Sequence, residues 1–210
     1  GPVKDSCWCP HCRAAFQARH GQALPENPAA CPRSLQADYE AFLTEMPVGY
    51  TEAFSRGLRK HNPDAVLYCN GGDNQQMKET LPWTQWIGEE GGFIGYAPLT
   101  GEFPFNAGMA AKKMEYRARG RARIVFSDSA FKVFDYHIHP KGEIARIYAG
   151  TISNGASPWF GVNPARNKAP GIQTIYRFNR LVHEHRDALT NGESLAEAAI
   201  LESLLNVQLA

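Results

Sequence analysis

One rhythm constrains this chain more than any other feature. Four short apolar runs, at 65–69, 83–87, 123–126 and 157–162, are closed by polar loops such as Asn70-Gly71-Gly72, Gly88-Glu89-Glu90-Gly91-Gly92 and Ser127-Asp128-Ser129. Helical patterns follow at 106–118, 141–153 and 170–189, stopped by Gly120, Asn154-Gly155 and Asn191-Gly192. Ile144, Ile147, Tyr148 and Ile152 fall on one face of the second. Strand, polar loop and helix in repetition imply parallel strands joined by crossover helices. Ser194-x-x-Glu197 has the form of a capping box and predicts a last helix through Leu205.

Two α/β architectures fit, an open doubly wound sheet and a (β/α)8 barrel. A full barrel needs about 250 residues and eight strands. The chain has 210 residues and four such runs, so a barrel reading makes it the second half of one. Its composition, 43% apolar and 20% charged, is that of a globular chain. No G-x-G-x-x-G or G-x-x-x-x-G-K-[ST] pattern occurs, so nucleotide binding by those loops is unsupported.

Charge excludes other classes. Lys and Arg number 22 against 21 Asp and Glu, which is not the balance of a dedicated nucleic-acid binder. Lys112, Lys113, Arg117, Arg119, Arg121 and Arg123 lack the interleaved aromatics that stack bases and read as a solvated helix face. His183 and His185, two apart, read as surface residues. No apolar run approaches the ~20 residues that span a bilayer. No signal-peptide pattern is seen, but the chain opens on Gly1, so export and a cytoplasmic location both stay open. Self-association is compatible with everything read here.

Residues 7–12 read Cys-Trp-Cys-Pro-His-Cys. Cys7, Cys9 and Cys12 form C-x-C-x2-C, and one tight turn can offer three thiolates to a structural zinc ion. Cys31, His11, His20 or a residue before Gly1 is the fourth ligand. A short helix is predicted over 13–20, ended by Gly21, then a Pro-rich loop over 22–33. Leu35, Tyr39, Phe42, Leu43, Met46, Tyr50, Phe54 and Leu58 step by threes and fours, predicting an amphipathic helix over 35–60 that Pro47 kinks or splits. The expected segments are a Cys-rich zinc-type region (1–33), β/α units (34–192) and the start of a C-terminal helix or further domain (193–210).

Three motifs in order carry a family resemblance. Cys-Trp-Cys-Pro-His-Cys-Arg-Ala-Ala-Phe, with Gly21 and Leu24-Pro25 after it, resembles the zinc-binding segment after the fourth strand of family 42 β-galactosidases. Residues 87–94 (Ile-Gly-Glu-Glu-Gly-Gly-Phe-Ile) and 154–160 (Asn-Gly-Ala-Ser-Pro-Trp-Phe) resemble more closely the hypothetical glycosyl hydrolase 6 family, related to those enzymes and to α-L-fucosidases. The resemblance implies a (β/α)8 barrel acting on glycosides, with the first four strands and one catalytic carboxylate before Gly1. It implies a carbohydrate substrate and no cofactor for the hydrolysis itself.

Glycoside hydrolysis generally uses two carboxyl groups, about 5–5.5 Å apart for retention and about 6.5–9.5 Å for inversion. In a barrel they sit at the carboxyl ends of strands. Glu89 and Glu90 end one predicted strand, and neighbours on a strand point to opposite faces, so one of them faces the site, with Glu90 preferred. Asp128 ends the next strand and is the third catalytic candidate. Asn70, Asp73, His137, His139, Trp159 and Asn163 are the substrate-binding candidates. Asp135, His137 and His139 alternate, which puts all three on one side of an extended segment. The rival readings are a carbohydrate-binding or degenerate barrel without chemistry, and a zinc-dependent interaction module.

Overall fold

The computed structural model describes residues 7–25, 31–70, 79–91, 106–131, 134–162, 168–190 and 192–198. The chain divides into two compact units, Gly1–Ala65 and Val66–Ala210.

The first unit is a helix pair, α1 (Pro10–His20) and α2 (Arg33–His61). Cys9 caps α1, its sulfur accepting the Cys12 N–H, and Pro10 occupies the first turn, where its missing N–H costs nothing. Arg19 and His20 lie in the last turn, the favourable end for positive charge. Gly21 ends the helix at φ 69°, a left-handed conformation that glycine adopts without strain, as the sequence predicts. Phe16, Tyr39 and Phe42 are fully buried, with Cys12, Leu24 and Cys31 around them. Phe16 meets Tyr39 and Phe42 edge-on at centroid distances of 5.7 and 5.6 Å. Such pairs add about 0.5–1.5 kcal/mol beyond area burial.

α2 covers the predicted helix over 35–60, and of the two alternatives at Pro47 it excludes the split: the helix runs unbroken through that residue. Proline removes one N–H from the ladder, and the Thr51 hydroxyl bonds back to the Pro47 carbonyl at 2.7 Å. The apolar stripe is also buried only in its first half. Met46, Tyr50 and Phe54 continue it onto exposed surface.

The second unit is mixed α/β, as expected. In chain order it holds β1 (Tyr68–Asn70), a 3-10 turn (Leu81–Trp83), β2 (Trp86–Glu90), α3 (Asn106–Arg117), β3 (Ala122–Asp128), β4 (Ala130–Phe131), β5 (Phe134–Ile138), α4 (Lys141–Ser153), β6 (Ser157–Gly161), α5 (Pro170–Glu184) and α6 (Arg186–Leu189). Four strands form one parallel sheet in the order β1-β2-β3-β6. β4 and β5 pair antiparallel beside it as a separate ribbon.

One face of the sheet carries the helices. Ile87 and Val125, with Cys69 and Phe160, pack against Ala107, Ala110, Ala111 and Met114 of α3 and Ile147 of α4. Tyr148 of α4 stacks between Phe160 and Phe178 of α5 at 5.1 and 4.9 Å. Its hydroxyl is met by Asn179 Oδ1 at 2.5 Å and the Ile175 carbonyl at 3.3 Å. α3 and α4 approach through Gly108 and Gly150, where a Cβ on Gly150 would lie 3.3 Å from the Gly108 nitrogen.

Boundaries moved where local hydrogen bonds competed with the ladder. The Ala65 N–H bonds to the Asn62 carbonyl, and the Leu67 N–H bonds to the Gln85 side chain, so β1 starts at Tyr68 instead of residue 65. Residues 81–83 take a 3-10 turn around Pro82, so β2 starts at Trp86 instead of 83 and ends on Glu90. The β4–β5 ribbon occupies a stretch from which the sequence predicts only an extended segment. His185 interrupts the helix predicted over 170–189. Residues 192–198 are not helical, against the capping-box expectation. The Ser194 hydroxyl does accept the Ala196 N–H at 3.4 Å, but it is also held by the Lys112 ammonium at 2.6 Å. The rest of that predicted helix, 199–205, lies outside the described residues. Among the described residues no helix is long and apolar enough to cross a membrane.

Candidate functional site

Strand register places several candidates on the face of the sheet opposite the helices. Tyr68 pairs with Trp86, Asn70 with Gly88, Glu90 with Phe126, Phe126 with Trp159, and Asp128 with Gly161. Partners in register share a face, and this set alternates with Ile87 and Val125, which face the helices. Asn70, Glu90 and Asp128 therefore end three adjacent strands on one side, at the carboxyl edge.

The centre of this face is aromatic. Trp159, half-exposed, meets both Tyr68 and Phe126 edge-on, each at 5.3 Å. Gly88 makes room for this arrangement, because a Cβ there would fall inside the Tyr68 ring. The Tyr68 hydroxyl donates to Asn70 Oδ1 at 3.1 Å, and Asn70 Nδ2 donates to Glu90 Oε1 at 3.4 Å. Burial pushes the Tyr68 phenol up to about 12, with the Glu89 carboxylate, Cys69 and Glu90 adding to the effect. Tyr68 thus stays a hydrogen-bond donor at neutral pH. The Glu89 carboxylate turns back on its own chain and accepts the Glu90 N–H at 3.1 Å.

Asp128 lies beside Gly161, where an added Cβ would sit 3.7 Å from Asp128 Oδ1. His139 is buried to 1% exposure just after β5, its N–H on the Ser129 carbonyl at 2.9 Å. Burial holds the His139 imidazole below its ordinary pKa; Glu143 and Asp128 oppose this and Arg146 reinforces it. His137 lies within β5. Asp73 and Asn163 lie outside the described residues. The structure thus brings Asn70, Glu90 and Trp159 together with Tyr68. Gly88 and Phe126, which sequence reasoning did not select, complete the set. The signal that finds them is register: each sits opposite a candidate on the neighbouring strand.

A separate cluster lies in the first unit. The sulfurs of Cys7, Cys9 and Cys12 are within 4.8 Å of one another, close enough to hold a metal ion. The Cys9 thiol is lowered to about 7, first by the Cys12 N–H and then by the neighbouring thiols. Cys12 is raised to about 12 by burial, with Cys7 and Cys9 adding to it. The backbone thus favours a thiolate at Cys9, while burial disfavours one at Cys12. A cation held by the three sulfurs would offset the cost of a charged Cys12. The thiolate donor set fits zinc, whose ~2.3 Å bonds to sulfur suit side-chain rotations of this turn. Tyr39 braces the turn, its hydroxyl bonded to the Cys7 carbonyl. Trp8 packs edge-on to Tyr39 at 4.7 Å and donates from Nε1 to the Pro25 carbonyl at 2.6 Å.

Of the fourth-ligand candidates His11, His20 and Cys31, all described residues, none joins the three-sulfur cluster. His20 is at the far end of α1, about 15 Å along the axis from Pro10 at 1.5 Å per residue, and its ring stacks on Phe16 at 4.6 Å. His11 is exposed. Cys31 is buried in the same core cluster as Cys12, with its thiol directed to the Pro32 carbonyl at 3.8 Å.

No protein-family model, curated protein or solved structure matches the chain significantly.

Proposed function

We propose that the second unit is part of a (β/α)8 glycosidase-type barrel, of the kind the sequence motifs resemble, with the substrate at its carboxyl rim. The observation that carries this reading is the winding. The strands follow one another in the order β1-β2-β3-β6, all parallel, with α3, α4 and α5 packed on one side. A doubly wound sheet reverses its strand order and has helices on both faces. A barrel winds one way and keeps its helices outside. The Tyr68–Trp159 contact supports the same reading. Strands β1 and β6 are three spacings apart, about 14 Å in a flat sheet, so rings that meet over them suit a sheet curling toward its helix-free face. A closed barrel needs four more strands, from a longer chain or from a second copy.

In this reading Glu90, oriented by Asn70, supplies the carboxylate of the pair, which attacks the anomeric carbon or activates water. Trp159 offers a plate for the apolar face of a sugar ring. The second carboxyl group, which protonates the glycosidic oxygen, comes from a strand beyond these four. The Cys7, Cys9 and Cys12 cluster holds a structural zinc ion outside the chemistry.

The test is a panel of aryl glycosides, assayed with the 210-residue chain and with the same chain in its full reading frame, each as wild type and as Glu90→Gln. Turnover in the longer form that Glu90→Gln removes supports the reading. Sugar binding by calorimetry without turnover in any form supports the carbohydrate-binding alternative, which the exposed Trp159 favours. Neither binding nor turnover overturns both.

A further inference from the structure

We propose that Cys9 and Cys12 are a redox pair, which a hydroperoxide converts to an intramolecular disulfide. Cys9 is the cap of α1 and Cys12 its third residue, and the Cys12 N–H points at the Cys9 sulfur, 3.5 Å away. That spacing puts the two Cα atoms about 5–6 Å apart, inside the range of about 4.4–6.8 Å that a disulfide spans. Pro10 fixes the turn between them. The sulfurs are already within 4.8 Å, so side-chain rotation closes the bond without moving α1. Cys9 is half-buried and Cys12 buried, so within the pair Cys9 is the more open to oxidant. Cys7, exposed, lies on the extended segment before the helix, where a two-residue span brings its Cα about 6.5–7 Å from that of Cys9, at the upper limit for a bridge.

The step balances. The Cys9 sulfur attacks one peroxide oxygen; an S–O bond forms, the O–O bond breaks, and hydroxide leaves with the Cys9 proton as water. The Cys12 sulfur then attacks the sulfenic sulfur; the S–S bond forms, the S–O bond breaks, and the hydroxide takes the Cys12 proton as a second water. Two sulfurs lose one electron each to the peroxide. A disulfide cannot ligate as two thiolates, so oxidation ejects a bound metal. The oxidation stands on the geometry of the turn, whereas the ejection rests on the metal reading above.

The full chain is treated with hydrogen peroxide, once after chelation and once loaded with zinc. Thiol titration should show two of the five thiols lost. The tryptic peptide 5–13 should become two hydrogens lighter in the wild type and in Cys7→Ser, but not in Cys9→Ser or Cys12→Ser. Cys12→Ser should instead leave a dimedone-reactive sulfenic acid on Cys9. A chromogenic chelator should report zinc released in step with thiol loss. The proposal is overturned if Cys7→Ser abolishes the bridge, if Cys69 is the thiol consumed, or if about tenfold excess peroxide leaves all thiols intact. Thiol loss from the zinc-treated chain with no metal appearing upholds the redox pair and removes the metal reading alone.

Discussion

The Asn70 amide meets the Glu90 carboxylate across the ends of two adjacent parallel strands, 3.4 Å from Nδ2 to Oε1. Register produces the contact: Asn70 pairs with Gly88, so Glu90 stands one pleat further along the same face. Glu89 has its carboxylate engaged by the Glu90 N–H instead. The two neighbouring acids are therefore inequivalent. In a form that turns over glycosides, Glu90→Gln should lower kcat by about 10²–10⁴-fold, the usual range for a positioned acid or base. Glu89→Gln should stay within about tenfold. Equal losses from the two, measured with one aryl glycoside, would remove the distinction.

Trp159 predicts a binding effect separate from chemistry. The residue is 48% exposed and its ring is held edge-on by Tyr68 and Phe126, so it offers a preformed apolar plate. A ring contact of this kind is worth about 0.5–1.5 kcal/mol. Trp159→Ala should weaken oligosaccharide binding about three- to tenfold by calorimetry. An unchanged Kd would show that sugar does not lie on this face.

Metal removal should act on stability rather than on the sheet. Cys7, Cys9 and Cys12 precede or open α1, and Tyr39 and Trp8 pack against that turn. Chelation should lower the Tm reported by far-ultraviolet helix signal by at least several degrees, and Cys12→Ser should abolish the difference between chelated and zinc-loaded protein. Identical melting curves with and without chelator would argue against a structural ion.

Much of this was legible in the residue order, for a physical reason. The helices 141–153 and 106–118 are fixed by local patterns, an apolar face at helical spacing and a glycine that tolerates positive φ at Gly120 and Gly155, so their ends match closely. The cysteine turn is equally local. Strand limits were less legible because they depend on non-local hydrogen bonds: only the fold brings Gln85 to Leu67 and so delays β1. The Tyr68–Gly88–Trp159 stack was hidden for the same reason, since its members lie on three different strands. Along α2 the apolar period is uniform, yet Phe42 is buried and Tyr50 exposed, because periodicity marks a face and not what covers it.

His139 makes stability depend on pH. Burial holds the folded imidazole below its ordinary pKa of about 6.5, with Arg146 reinforcing the shift and Glu143 and Asp128 partly offsetting it. The native state therefore takes up fewer protons than the unfolded chain as pH falls through 6.5. Its contribution is complete above about pH 6.5 and is lost progressively below, at about 1.4 kcal/mol per unit of pKa difference. Urea midpoints should fall between pH 7.5 and pH 5. His139→Gln should flatten that dependence even if it lowers the midpoint at pH 7.5. An unaltered slope in the variant would assign the pH response to another group.

Gly91 tests whether the sheet and α3 pack as tightly as their small residues suggest. An added Cβ there would lie 2.7 Å from Ala110 Cβ, 2.9 Å from Val125 Cγ1 and 3.2 Å from Ala107 Cα. The last of these is backbone, so α3 would have to move away from β2 and β3. Overpacking of this kind costs about 1–3 kcal/mol. Gly142, in the same unit, has nothing within 4 Å of its added Cβ and is already helical in α4. Alanine there removes backbone freedom from the unfolded chain and should be neutral or stabilising by up to about 1 kcal/mol. Urea unfolding of Gly91→Ala and Gly142→Ala should therefore move in opposite directions or differ by at least about 1 kcal/mol. A Gly91→Ala protein as stable as the wild type would mean that α3 sits further from the sheet than this close packing requires.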